Sequence, residues 1–246
     1  MTLTFHHPEF EQEVRERLGI FDRDITSEDA SLISELDLTN FDFIDEDVGT
    51  LFLFSNLTSL SINIRQQNSS FWNHFSKLQN LYWCCWGDKI DFAVFSNMKD
   101  LTYLMVSGGD YSNIKFKSID SLIQLIHLER LVLHEFGSVD LAPLKNMHQL
   151  KHFSLLYPDS AQNIDSIGKM HWLESLTLQG LYIDNLDFLD SLSDHMELDM
   201  CGIHICGQKP VDVQKWKRFG RCSICEIEVK RHYWEYIDLS ALNNLS

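Results

Sequence analysis

Residues 150–178 read LKHFSLLYPDSAQNIDSIGKMHWLESLTL. Leu150, Phe153 and Leu155 stand at relative positions one, four and six, and Leu173, Leu176 and Leu178 repeat that spacing 23 residues later. Between them Ile164, Ile167 and Met170 form a second apolar group. The residues that alternate with the last two apolar positions are mostly polar: His152, Ser154 and Leu156 in the first copy, Ser175, Thr177 and Gln179 in the second. Alternation with period two marks a half-buried strand. A strand and turn of this length cannot bury its own apolar face, so it requires stacked copies of itself.

The same spacing runs outward in both directions. Towards the N-terminus it fits Leu128-Leu131-Leu133, Leu101-Leu104-Val106, Leu78-Leu81-Trp83, Leu57-Leu60-Ile62 and Ile33-Leu36-Leu38. Towards the C-terminus it fits Ser193-Met196-Leu198 more weakly, then Cys222-Cys225-Ile227. The intervals between first positions are 24, 21, 23, 27, 22, 23, 20 and 29 residues. The second apolar group recurs as Ile90-Phe92-Phe95-Met98 and Val139-Leu141-Leu144-Met147.

An L-x-x-L-x-L unit repeated in this way resembles leucine-rich repeat proteins, most closely the irregular bacterial internalin-like repeats of about 22 residues with a helical N-terminal cap. The resemblance implies an α/β leucine-rich repeat solenoid, with a concave parallel β-sheet and short helices or irregular turns on the convex side. Residues 1–32 would form the cap, 33–229 the repeats, eight or nine of them, and 230–246 a C-terminal cap. Phe10, Val14 and Leu18, four residues apart, give the cap one apolar helix face, and Ser27 can N-cap a following one-turn helix. Residues 202–221 read as an insertion carrying a longer convex helix between the last two units. The family usually places Asn three residues after the last template leucine. Here Phe41, Arg65, Trp86, Gly109, Phe136, Pro158, Leu181 and Cys201 occupy those positions, so irregular turns are expected.

The chain carries 36 acids against 20 Lys and Arg, a formal charge of −16. A charge of that size repels nucleic acid and anionic membranes and favours basic proteins, although it also serves solubility alone. No stretch reaches the roughly 18 uncharged apolar residues of a membrane helix. The opening residues have no basic start and no apolar run, so a cytoplasmic location is expected.

Motifs for catalysis are absent: there is no phosphate-cradling glycine loop, no nucleophile elbow and no zinc-protease helix. The chain is therefore expected to be no enzyme and to use no cofactor. His6 and His7 read as a solvated terminus. The run Asp42-Phe43-Ile44-Asp45-Glu46-Asp47 lacks the Gly and closing Glu of a calcium loop and reads as a solvated turn. Cys201, Cys206, Cys222 and Cys225 have a spacing near that of a zinc site. The competing reading makes Cys222 and Cys225 small core residues and all six cysteines reduced thiols, with no metal.

The outward strand positions carry the functional expectation. They place Tyr82, Tyr103, Met105, Arg130, His134 and His152 in the middle of the concave face, and His195, Glu197, Asp199, Glu226 and Glu228 at its C-terminal end. Tyr and Arg dominate binding hot spots, and exposed aromatics in a row call for a partner. The expected function is a non-enzymatic protein-binding module, monomeric alone. It would engage a basic protein, as an acidic inhibitor or immunity-type protein masking a toxin or nuclease does. The alternative is a scaffold or regulatory subunit in a protein complex.

Overall fold

A computed structural model describes residues 1–40, 47–65, 68–86, 89–108, 115–116, 118–230 and 234–239. Every strand of the repeat pairs with the next unit's strand in parallel, and among the described residues they belong to one sheet of eleven strands whose last strand is antiparallel. The chain is a leucine-rich repeat solenoid.

The register follows the template from the first unit to the seventh. Leu36 pairs with Leu60, Leu60 with Leu81 and Leu81 with Leu104. Leu104 then pairs with Leu131, Leu131 with Phe153 and Phe153 with Leu176. These residues and their sixth-position neighbours, from Leu38 to Leu178, are all buried. The convex side is closed by 3-10 turns such as Phe92–Phe95, Ala142–Asn146 and Ile164–Lys169. Their apolar residues, including Phe95, Leu144 and Ile167, meet the strands from behind in one continuous core. At about 25 cal/mol per Å² of buried apolar surface, this shared core is the main term that opposes chain entropy.

The caps form for local reasons. The Pro8–Leu18 helix starts at proline, which needs no N–H partner there, and ends at Gly19, whose φ of 66° suits glycine. Phe10 and Val14 are buried, and Leu18 packs at the edge of the core. The Ser27–Ala30 helix is capped by Thr26 rather than Ser27, in a reciprocal box with Asp29. The N-terminus is not a solvated tail. Thr2 bridges Thr26, the His6 N–H donates to Asp47 at 2.8 Å, and His7 pairs with Glu9. Asp47 is fully buried, so its reading as a solvated turn is corrected. Phe41, Asp42, Phe43, Ile44, Asp45 and Glu46 lie outside the described residues, as does Gly109.

The last two units differ from the expected register. Leu198, not Met196, pairs with Leu176, and Met200 pairs with Leu178. Met196, buried one residue before the strand, takes the first template position, so this unit has one spacer residue fewer. A rigid spacing therefore locks onto Ser193 and slips by two. In the last unit Cys222 pairs with Leu198 and Ile224 with Met200. The strand intervals become 22 residues from Ser175 to Glu197 and 24 from Glu197 to Arg221, and the insertion at 202–221 dissolves. Residues up to Ile205 continue the strand, and the only helix there is the 3-10 turn Val213–Arg218.

The absent asparagine column has a different replacement. Glu135, Tyr157, Gly180 and Gly202 follow successive strands at equivalent places, and each has φ between 52° and 66°. This left-handed column bends the chain without a side-chain bond to the turn. Beyond it, Ser175–Ile183 and Glu197–Ile205 resume as strands of nine residues in all. Ile227–Lys230 joins them in parallel, and Trp234–Tyr236 closes the edge in antiparallel fashion.

Candidate functional site

Strand alternation turns Tyr82, Tyr103, Met105, Arg130, His134 and His152 outwards while their neighbours Leu81, Leu104, Leu131 and Phe153 are buried. Register sets Tyr82 beside Met105, Tyr103 beside Arg130, and Arg130 beside His152. The Tyr103 hydroxyl donates to Met105 Sδ at 3.4 Å. Tyr103, Arg130 and His152, with Asn80, Thr102 and Glu129, line an open depression of about 430 Å³. Half-burial raises the pKa of both Tyr82 and Tyr103, so their hydroxyls stay protonated donors at neutral pH. His152 is shifted down by burial and then by Arg130, which favours the uncharged ring. His134 lies four residues past Arg130 on the same strand, with Nδ1 3.1 Å from the buried Ser107 hydroxyl and Nε2 3.6 Å from Glu135. The six central residues thus share one surface of amphipathic side chains.

The C-terminal group is split. Glu197 and Asp199 face outward beside Ser175 and Thr177, next to the central group. His195 is not in the first column. It is exposed in the turn that precedes the strand, where its carbonyl faces Gly220. Its displacement follows from the missing spacer residue. Glu228 pairs with His204, five residues beyond Asp199 and past Gly202, roughly 15 Å along the strand. Glu226 stands beside it and accepts the Ile203 N–H at its carbonyl. The four acids therefore form two pairs rather than one patch.

The cysteines are not all reduced thiols: Cys201 and Cys225, with Cα atoms 5.1 Å apart, form a disulfide. Bonded to each other, they offer no thiolates to zinc. Cys222 faces the core, and burial pushes its thiol up to about 11, which keeps it protonated and unreactive. Among the described residues no three His, Cys, Asp or Glu side chains are grouped to hold a metal ion.

Four residues of this surface escaped the sequence template. Tyr157, Tyr182 and Tyr236 are 54%, 58% and 72% exposed. The Tyr182 ring stacks on His204 with centroids 4.5 Å apart and planes 13° off parallel. His204 Nδ1 lies 2.9 Å from Glu228, and the Tyr236 hydroxyl donates to Glu228 as well, which raises its pKa. The template stops at the sixth position, whereas Tyr182 and His204 sit on the strand extensions, Tyr157 directly follows its strand and Tyr236 lies on the closing strand. Continued alternation in LYI and IHI, at 181–183 and 203–205, was the signal that could have found Tyr182 and His204.

No family model matches the sequence, and no curated protein matches it. Solved structures do. Internalin C2 from Listeria monocytogenes superposes with a TM-score of 0.65 over 89% of this chain and 93% of that one, at 14% identity. Internalin InlF from the same organism gives 0.54 over 100% of this chain and 82% of that one, at 18% identity. The Arabidopsis receptor kinase HAESA, solved with the peptide hormone IDA and the co-receptor SERK1, gives 0.58 at 21% identity. That match covers 80% of this chain and 35% of HAESA. The chain has an internalin-like leucine-rich repeat fold.

Proposed function

We propose that this chain is a non-enzymatic protein-binding module whose concave face captures a basic protein, as an acidic inhibitor or immunity-type protein does. The observation that carries this reading is the register. It sets Tyr82, Tyr103, Met105, Arg130 and His152 side by side on one partly exposed surface, with Glu197 and Asp199 adjoining. Burying aromatic and guanidinium groups supplies affinity, and the acids steer a cationic partner towards them. A leucine-rich repeat protein has been solved with single-stranded RNA, the TLR13–ssRNA13 complex. The fold therefore does not decide the ligand class. A charge of −16 does argue against nucleic acid here, because each phosphate would have to approach a net anion.

The test begins with capture from lysate at low salt, followed by mass spectrometry. An inhibitor retains one basic protein in near-equal amount, whereas a scaffold retains several. With the partner in hand, Tyr103→Ala should speed dissociation and cost about 2 kcal/mol. Glu197→Lys should slow association, and the effect should fade as salt rises past about 0.15 M, where the Debye length is near 8 Å. If neither change moves either rate, the concave face is not the interface.

Location is a separate proposal. A cytoplasmic setting is one proposal, and an intact Cys201–Cys225 bond pulls the other way, because the cytosol keeps most thiols reduced. Thiol counting on protein taken directly from its native cells decides between them: six free thiols support the cytoplasm, four support an oxidising compartment.

A further inference from the structure

The outward positions of the sheet change charge along the solenoid. At one end the strand Glu35–Leu38 exposes Glu35 and Asp37, and near the other Glu197–Ile205 presents Glu197 and Asp199. On the five sheet strands that run from Asn80–Trp86 to Ser175–Ile183, the outward positions carry no carboxylate and one fixed cation, Arg130. Four strand spacings separate its strand from that of Glu35 and three from that of Glu197, so the acids stand roughly 19 Å and 14 Å away.

Arg130 is exposed, and among the described residues its guanidinium makes neither a hydrogen bond nor an ion pair. Register places it between Tyr103 and His152, and it lines the open depression of about 430 Å³ with them. Half-buried Tyr103 bounds one side, and the His152 ring, kept uncharged by burial and by Arg130 itself, bounds the other. Glu129 lines the same depression but precedes the strand, and Lys151 holds its carboxylate at 2.9 Å. The guanidinium therefore keeps its full fork of N–H donors for a visitor. A carboxylate is the group that matches that fork, because it accepts two parallel N–H bonds in one plane.

We infer that Arg130 receives a single Asp or Glu side chain of the partner, one that stands within an otherwise basic surface. The inference rests on the concave-face reading and specifies the chemistry at the centre of that interface. A basic partner drawn in by the acids at both ends of the arc also brings cations towards Arg130, and like charges meeting there cost affinity. A carboxylate at that point removes the repulsion and adds a charge-assisted pair. A polyanion does not fit, since Glu35, Asp37, Glu197 and Asp199 flank the site on both sides. The end acids thus select the sign of the partner's charge, and Arg130 selects among basic proteins.

The probe is a pair of capped heptapeptides with lysine at both ends, glycine between, and aspartate or asparagine at the centre. Three extended residues span about 10 Å, so each lysine side chain reaches towards an acidic end while the centre sits at Arg130. They are titrated into the full-length protein and followed by NMR in about 0.15 M salt, which mutes the distant field and leaves contact pairs. Net charge alone favours the asparagine peptide, which is the more cationic. The inference expects the reverse: the aspartate peptide binds about fivefold tighter, the size of one well-made exposed pair. Amide shifts should centre on 103–105, 130–132 and 152–154. Arg130→Gln should abolish the preference and Arg130→Glu should invert it, while Arg130→Lys, which keeps the charge without the fork, should retain only part of it. The side chain points outward, and unchanged shifts elsewhere in the spectrum confirm that each variant is folded. Equal or tighter binding of the asparagine peptide, binding of neither, a preference that survives Arg130→Gln, or shifts centred elsewhere each overturn the inference. Tighter binding of the asparagine peptide at the same strands leaves the concave-face reading standing. Conversely, failure of Tyr103→Ala and Glu197→Lys to alter the native partner's rates removes the concave-face reading without changing the peptide result.

Discussion

The two halves of the solenoid solve the same packing problem with different material. In the N-terminal half the space behind the sheet is filled by aromatic rings. Trp72 meets Trp83 at 5.3 Å and Phe95 at 5.1 Å, and Trp83 meets Phe95 edge-on at 5.5 Å and 89°. Phe71 and Phe75 extend the cluster. In the C-terminal half the strands are longer and their core is largely aliphatic, with Leu176, Leu178, Leu181, Ile183, Leu198, Met200, Ile203 and Ile205 all buried. Behind these strands Phe188, Trp216 and Phe219 are buried as well, and polar ties join consecutive turns. Lys209 pairs with Asp187, Lys215 with Asp190 and Arg218 with Asp194, while Arg218 also donates to the Leu189 and Leu192 carbonyls. The disulfide adds a covalent tie between the last units. The lesson is that the strand template sets the stacking, while what fills the convex side is free to vary.

Core substitutions probe that difference most strongly. Trp83→Ala should cost about 3–5 kcal/mol in chemical denaturation, and Leu131→Ala or Leu176→Ala about 2–5 kcal/mol, since each empties volume shared by two units. A loss below about 1 kcal/mol at either leucine would remove it from the core. Conservative changes sharpen the test. The Trp83 indole N–H donates to the Ile64 carbonyl at 3.0 Å, whereas Trp72 Nε1 is buried and has no hydrogen-bond partner among the described residues. Trp83→Phe should therefore be the more damaging of the pair by about 1 kcal/mol, the net worth of one such bond. Equal losses would mean that ring volume alone matters there.

The glycine bends give a smaller effect confined to the other half. Gly202→Ala should cost about 1–2 kcal/mol from its φ of 62° alone. Gly180→Ala carries the same backbone penalty and must also displace the Tyr157 ring. Repeating it in a Tyr157→Ala background should bring the two glycines level. Persistence of the gap would place the extra cost elsewhere.

Acid separates the N-terminal cap from both halves. Arg23, then the Thr26 N–H and hydroxyl, hold the Asp29 carboxyl well below the usual range. A depressed carboxyl stabilises the fold fully above its unfolded value, near pH ~3.9, and that contribution is lost as pH falls through the folded value. Hydrogen exchange should show residues 23–30 loosening below about pH 4 in the native protein. With Asp29→Asn that acid-dependent step should disappear, leaving the cap equally loose at neutral pH.

The sequence was legible wherever spacing was rigid. From Ile33 to Leu178 the template names the buried residues, and with them the outward positions of Tyr82, Tyr103, Arg130 and His152. It failed where one spacer residue is missing, between Met196 and Leu198. A period-two pattern remains self-consistent after slipping by two, so Glu197 and Asp199 stayed outward while His195 was misplaced. A further slip, of three residues in the other direction in the last unit, hid the disulfide, because Cys201 and Cys225 become level only in the true register. The Tyr182 row was missed for another reason: a template describes what every unit shares, and among the described residues the nine-residue strands belong to the last units.

The shortened unit at Met196 also bears on how such a chain can change over generations. The slack is taken up within one turn, and the next strand still finds its partner. Phe153 and Leu176 occupy equivalent places, so losing or duplicating the coding sequence for residues 153–175 would leave an intact seam on both sides. Each copy gained or lost would alter the reach of the arc by about 4.8 Å. A lineage of these proteins could match its reach to a growing or shrinking target one increment at a time, like adding links to a watch strap, without redesigning either cap.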